Sequence, residues 1–453
     1  MRQSAFEVIS TSCELFGYLP IRGEPMFLML SALLGIFLGA FANYAAAAWA
    51  WEPKRNHPWC ASDVSRPFWY RIPIIGWFGM KNESSRFGRR FWIRPLLVEL
   101  GMGAFAVWFF QGQVLQTASL LLMNEIPVTP STLWTLVARF VFQMIFAGLM
   151  LAASLIDFDE KTIPDQITVL GTIFALVISM IFPLTIGNYS DGTSLAIFQV
   201  TQLLDFPDAP LITGDDFFNP LTASSPLPVL GVFKTEFSGK FGLVSALLCW
   251  WGWCFAMLDR HWRMNWGWRW AWRIFWERLA RSTSTRHWCR LANWGTFLIV
   301  LFWAAGWPQW LSLWSSLLGM GIAGGFMWLI RIAGKFAMNR EAMGFGDVTL
   351  MAMFGAFLGW QPCLILFFIA PFAGLVLALL FMILFRDPEI PFGPFLCAAA
   401  LITLLNWPTL WALTLPFFQL GSLLFTLGLG LLLLMVILLA LIQGIKKFLG
   451  IDY

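Results

Sequence analysis

Charge is scarce in this chain. Only 12% of its 453 residues are Asp, Glu, Lys or Arg, while 59% are hydrophobic. An ordinary soluble domain carries about 25% charged residues. Water is therefore excluded as the main solvent of the fold, and the mean hydropathy of +0.72 agrees. Paired cysteines are missing as well. Cys13, Cys60, Cys249, Cys254, Cys289, Cys363 and Cys397 are scattered, and no two have CxxC spacing. That argues against a disulfide framework or a thiolate metal site, and the seven read as small core residues. Histidine is rare: His57, His261 and His287 all lie in basic stretches, none spaced for a metal, and they read as interfacial or solvated. Tryptophan, by contrast, is abundant at 27 residues, which fits belts at a membrane–water interface as well as plain core packing.

What is present in quantity is long apolar runs. A spanning helix needs about 20 mostly apolar residues. About eleven candidates lie near 26–50, 94–112, 135–156, 167–187, 241–258, 295–314, 316–334, 347–361, 363–385, 392–413 and 418–443. Every spanning backbone must satisfy its own hydrogen bonds, and these runs are too long for barrel strands. The expected fold is thus all-α, a polytopic membrane bundle. Residues 1–25 carry Arg2, Glu7, Glu14, Arg22 and Glu24 before the first run, which lacks a small-residue cleavage site and reads as a retained span. Basic loops stay in the cytoplasm. The loop 51–95 holds nine Lys and Arg against Glu52, Asp63 and Glu83. It is expected inside, which puts the N-terminus outside and the C-terminus, with Lys446 and Lys447, in the cytoplasm. The stretch 188–240 is acidic and falls outside, whereas 259–294 interleaves Arg with Trp and falls inside as an amphipathic interfacial segment. Nucleic acid is not the expected partner of that segment; membrane lipid is.

Two carboxylates stand at the ends of apolar runs. Asp157 lies in Ile156-Asp157-Phe158-Asp159-Glu160, and Asp347 in Gly344-Phe345-Gly346-Asp347. A carboxylate at the edge of a lipid-spanning helix is costly and marks a functional site by default. The threading above delivers both to the cytoplasmic face. Brought together, two aspartates sharing one proton make an acid/base pair for peptide hydrolysis: one activates water while the other donates to the scissile carbonyl. Gly344 and Gly346, lacking a Cβ, would let an extended strand approach Asp347. Taken singly, each aspartate reads equally as a solvated or capping residue, and a lone GxGD is a weak pattern.

Five separated segments together resemble the bacterial type IV prepilin peptidases, a GxGD-type intramembrane aspartyl protease family. They are Gly35-Ile36-Phe37-Leu38-Gly39-Ala40-Phe41-Ala42-Asn43; Ile72-Pro73-Ile74-Ile75-Gly76-Trp77 followed by Arg94-Pro95-Leu96-Leu97-Val98-Glu99-Leu100; Ile156-Asp157 with Ile163-Pro164-Asp165-Gln166; Arg340 through Val348; and Ile390-Pro391-Phe392-Gly393-Pro394-Phe395-Leu396. The resemblance covers roughly 26–185 and 335–413. It implies a multi-pass protein of the bacterial cytoplasmic membrane that cuts the leader from prepilins or pseudopilins at the cytoplasmic face. Asp157 and Asp347 would be catalytic and Asp165 supporting, with Asp159 its weaker rival. Glu99 matches an acidic position of the family's methylation domain, or is simply a helix-start acid near the membrane.

The departures are specific. Bifunctional members carry two CxxC pairs in the first cytoplasmic loop, whereas here that loop has only Cys60, so a four-thiolate zinc site cannot form. Methylation with S-adenosylmethionine is thereby put in question, while proteolysis itself needs no cofactor. Asp157 and Asp347 lie 190 positions apart (347 − 157), far more than the family's gap. The resulting division is 1–25 as an outer segment and 26–112 as two spans around loop 51–95. Then come 135–187 as the first catalytic segment, 188–334 as an insertion, 335–413 as the second catalytic segment and 414–453 as an extra span with a basic tail. The insertion is read as a surface for substrate or for pilus or secretion machinery. A transporter would need acids at the bilayer midplane and a repeat, and the sequence offers neither. A silent scaffold is opposed by the intact Asp157 and Asp347.

Overall fold

The structure, a computed structural model, describes residues 24–51, 57–59, 66–116, 130–181, 185–187, 195–198, 240–258, 277, 282–306, 309–338, 343–385, 391–418 and scattered positions within 426–441. The described chain is helical: α1 (Glu24–Ala48), the short α2 (Ile75–Met80) and α3 (Ser84–Phe87), α4 (Ile93–Phe110, continued by a π turn over Gln111–Gln116), α5 (Pro130–Glu160), α6 (Asp165–Ile181), α7 (Lys240–Ala256), α8 (Thr283–Ala304), α9 (Gln309–Met338), α10 (Phe345–Leu358), α11 (Trp360–Phe385), α12 (Gly393–Leu405) and α13 (Trp407–Phe418). A short antiparallel hairpin, β1 (Thr185–Gly187) with β2 (Leu195–Phe198), adds a sheet pairing in the segment after α6. Among the described residues five helices are long and apolar enough to cross a membrane: Pro25–Ala48, Ile93–Leu115, Leu136–Glu160, Ser312–Lys335 and Trp360–Leu379. Shorter apolar helices lie at Asp165–Ile181, Lys240–Ala256, Phe345–Leu358 and Gly393–Leu405. The expectation of a polytopic helical membrane protein holds.

Some boundaries differ from expectation. The break expected near residue 315 falls earlier, at Ala305 and Gly306, just before Pro308. Gly306 takes φ +62, and Pro308 has no N–H to continue the ladder of α8. The run 392–413 is divided at Asn406, two residues before Pro408, into α12 and α13. Of the expected interfacial segment 259–294, residues 259–276 and 278–281 lie outside the described residues, as do 340–342 and most of 188–240.

The chain divides into two compact units. The first comprises residues 1–167 and 388–397, the second 168–387 and 398–453. In the first unit α1 packs along α4 and α5. Gly35 and Gly39, one turn apart, let the α1 backbone approach α4. A Cβ on Gly35 would collide with the Met102 carbonyl and lie 2.6 Å from the Ala106 Cβ. Small residues carry such contacts in lipid, where burial from water supplies no driving force between helices. In the second unit α9 and α10 meet equally closely. Gly319 and Gly355 face each other's carbonyls with no room for a methyl on either side, and a Cβ on Gly324 would lie 2.9 Å from that of Ala352. All residues from Asp347 to Leu358 are buried. An apolar helix covered on every side is a core helix, which makes α10 the axis of its unit.

The histidine expectation fails at His57. It is buried, edge-on between the Tyr44 ring (centroids 5.7 Å) and the Trp77 indole (5.4 Å). Its Nδ1 accepts the Trp59 N–H at 3.3 Å, and the aromatic cage replaces the solvent that the neighbouring charges suggested. Burial first, and Arg66 second, push its pKa down from 6.5 to about 4. The folded state therefore holds His57 neutral where the unfolded chain protonates it. Its contribution to stability is complete above pH 6.5 and is lost as pH falls toward 4, with a slope of up to about 1.4 kcal/mol per pH unit in that window. Thermal melts in detergent at pH 7.5 and pH 5 are expected to differ less for His57→Phe than for wild type.

Candidate active site

Asp157 sits in the last turn of α5 and is only 4% exposed. Its Oδ2 accepts the backbone N–H of Gly393 at 3.0 Å, across 236 residues but inside the same unit. The fit is tight: a Cβ on Gly393 would run into Oδ2 and lie 3.0 Å from Ile163 Cδ1. The helix stops just beyond, where Lys161 takes φ +57 and its N–H bonds back to the Asp157 carbonyl at 2.8 Å. Three carboxylates at a helix C-terminus oppose the helix dipole, so each needs a partner. Asp159 takes Arg94 at 2.6 Å, and Glu160 accepts the Trp51 N–H at 2.6 Å. Asp159 is thereby tied to α4, while Asp157 turns inward.

Asp347 occupies the first turn of α10 and is 8% exposed. Here the dipole favours a carboxylate. Gly344 is the N-cap, in extended backbone (φ −65, ψ 156), and Gly346 accepts the Thr349 hydroxyl on its carbonyl at 2.9 Å. A Cβ at Gly344 would make only ordinary contact, 3.8 Å, with Asp347 Oδ2. Nothing within the unit thus demands glycine at 344. Arg331 of α9 holds the turn from one side: its Nε donates to the Met343 carbonyl at 3.1 Å, and its guanidinium lies 5.5 Å over the Phe345 ring. Sequence reasoning takes Arg331, with Lys335, only as a cytoplasmic charge near the end of an apolar run and gives it no part in the site.

The other candidates fall elsewhere. Asp165 is exposed in the first turn of α6. Glu99, one turn inside α4, is 1% exposed and accepts three hydrogen bonds: Trp77 Nε1 at 2.7 Å, Ile74 N–H at 2.6 Å and Asn43 Nδ2 at 3.3 Å. Ile74 is held with φ +64, unusual for a β-branched residue, so the carboxylate anchors a strained turn. Glu99 therefore binds the loop to α1 and α4. Glu99→Ala strands three donors, each costing about 1–3 kcal/mol. It should lower the detergent melting temperature more than Glu99→Gln, which keeps one acceptor. Asp157 belongs to the first unit and Asp347 to the second.

Residues 288–379 match the Type IV leader peptidase family. The matched segment runs from α8 into α11 and contains the whole Gly344–Asp347 turn, and it begins inside the stretch read above as insertion. Among similar proteins is a prepilin leader peptidase/N-methyltransferase of Legionella pneumophila, 39% identical over 77 residues, 15% of this chain and 27% of that relative. One from Pectobacterium carotovorum subsp. carotovorum is 40% identical over 73 residues, 16% of this chain and 26% of the relative. One from Pseudomonas aeruginosa is 36% identical over 99 residues, 21% and 29% respectively. The matched stretch spans about a quarter of the length of these curated relatives. No solved structure matches. The match takes in one of the five segments that carry the resemblance to type IV prepilin peptidases, Arg340 through Val348, and supports the resemblance there. Among the described residues no group of three or more His, Cys, Asp or Glu could hold a metal. Loop 51–95 has one cysteine, Cys60.

Proposed function

We propose that this protein is an aspartyl endopeptidase of the bacterial cytoplasmic membrane, cleaving the leader of type IV prepilins or pseudopilins at the cytoplasmic face. The observation that carries the reading is the family match across the GxGD turn, joined to two buried aspartates, Asp157 and Asp347, at the ends of apolar helices. In the proposed mechanism Asp157 and Asp347 act on one water. One aspartate, ionised, takes a proton from the water as its oxygen attacks the scissile carbonyl, while the other, protonated, donates to the carbonyl oxygen; as the C–N bond breaks, the first gives its proton to the leaving amine and the second recovers its own from the diol. The Gly393 N–H keeps Asp157 in place, and Arg331 holds the turn that presents Asp347. Exposed Gly344 leaves room for an extended substrate strand beside Asp347.

Glu99 is assigned to folding the loop, and N-methylation forms no part of this proposal. Asp165 is assigned a supporting place at the start of α6. The test is incubation of the purified chain in detergent with peptides bearing a basic leader, a glycine and an apolar helix. A single cut ahead of the apolar stretch supports the reading. No cut in any of several prepilin leaders replaces it with a scaffold of a pilus or type II secretion assembly.

A further inference from the structure

The loop between α1 and α4 is built like a membrane-surface module. Its two ends are fixed by spanning helices, so the chain between them returns to one face of the bilayer. From Arg66 to Arg94 it holds seven Lys and Arg and a single acid, Glu83. That acid is already taken by Arg66, through bonds of 3.0 and 2.9 Å. Arg86, Arg89 and Arg90 are exposed. Beside them the loop leaves large apolar groups outside: Phe68 is 74% exposed, Phe78 56% and Ile75 54%. A soluble surface rarely presents both at once, since exposed apolar groups of this size mark a contact site. The two kinds of group are also interleaved. Phe78 lies 6.1 Å from the Trp92 ring, over which Lys81 sits at 5.7 Å, and Trp92 leads straight into Ile93, where α4 enters the bilayer.

A groove of about 580 Å³ opens at that entry, lined by Arg90, Ile93, Arg94, Leu97 and Val98. Its cations stand at the rim, and its walls are aliphatic side chains on the outer part of a spanning helix. The helical steps from Ile93 to Leu97 rise about 6 Å, within the ~5–10 Å that separates headgroups from the acyl boundary. Phosphate at the rim and a chain along Leu97 is what an anionic phospholipid supplies, and a free phosphate would leave the aliphatic wall in water.

We propose that the loop 66–92 docks on the membrane surface and binds anionic phospholipid, with Arg86, Arg89 and Arg90 taking headgroups and the groove beside Arg90 taking one lipid. Docking of this kind fixes the height of the turn that Glu99 anchors relative to the bilayer. It stands whether or not the protein is a protease.

Native mass spectrometry of the full-length detergent-solubilised protein, titrated with phosphatidylglycerol or phosphatidylcholine, tests it. Wild type should bind phosphatidylglycerol at least about tenfold more tightly, and 0.5 M salt should weaken that preference by screening. Arg86→Gln/Arg89→Gln/Arg90→Gln should reduce it to the phosphatidylcholine level, each arginine being worth on the order of fivefold. Unchanged melting in phosphatidylcholine shows that the triple variant is folded. If it is not, the single variants Arg86→Gln and Arg89→Gln carry the comparison, each losing about fivefold. Equal binding of the two lipids by wild type would overturn the proposal. So would full retention of the preference in folded variants.

Discussion

Asp157→Asn and Asp347→Asn each lose prepilin-peptide cleavage by on the order of 10³-fold or more in kcat/KM, and the double variant is scarcely worse than either single one. Asparagine keeps the shape and the acceptor oxygen but can neither take nor carry the proton. Proton transfer by a positioned group is worth about 10² to 10⁴-fold, and groups that act as one unit are not additive. Asp157 already has a backbone partner in Gly393, and an asparagine oxygen accepts the same N–H, so the fold should tolerate that change. Cleavage assays beside melting curves separate loss of chemistry from loss of structure. Retained cleavage in either folded variant would remove that aspartate from the mechanism.

Gly393→Ala is expected to cut activity about 100-fold through one methyl group placed outside the chemistry. That methyl would collide with Asp157 Oδ2 and lie 3.1 Å from its Cγ and 3.0 Å from Ile163 Cδ1. Asp157 is buried at the helix end and Ile163 sits in the short link to α6. The carboxylate must turn or the start of α12 must withdraw. A catalytic group misplaced by about 1 Å can lose 10²-fold, and overpacking of this kind costs about 1–3 kcal/mol in stability. Pro394→Ala, one residue along and not facing the carboxylate in this way, serves as the comparison. Wild-type kinetics in Gly393→Ala would mean that the Gly393 contact does not hold Asp157 for catalysis.

The helical membrane fold was legible because lipid leaves the backbone no other general solution. The positions of Asp157 and Asp347 at helix ends were legible because polar residues interrupt apolar runs there. What holds each of them was harder to read. Gly393 meets Asp157 across 236 residues, and a glycine carries no side chain to advertise a hydrogen bond made by its backbone. The Glu99 hub gathers Asn43, Ile74 and Trp77 from three separate segments, a convergence that local pattern cannot encode. His57 was misjudged for a related reason. Its basic neighbours in sequence suggested solvent, while the residues that bury it, Tyr44 and Trp77, lie 13 and 20 positions away (57 − 44 and 77 − 57). The breaks between α8 and α9 and within 392–413 carried their Gly and Pro signals in plain view, and hydropathy alone overrode them.

The proposed function rests on Asp157 and Asp347 acting as one catalytic pair. Its most direct test is thiol crosslinking of an Asp157→Cys/Asp347→Cys variant in native membranes with a reagent no longer than about 10 Å, the reach of three extended residues. Carboxylates about 3 Å apart in the working site require that this pair be joined, in a yield that a prepilin peptide changes. An Arg94→Cys/Asp159→Cys variant, at the 2.6 Å ion pair, shows that the reagent reaches this end of the membrane. A crosslink between positions 157 and 347 is the result predicted. A joined control pair with positions 157 and 347 never joined, with or without peptide, would contradict the two-aspartate site.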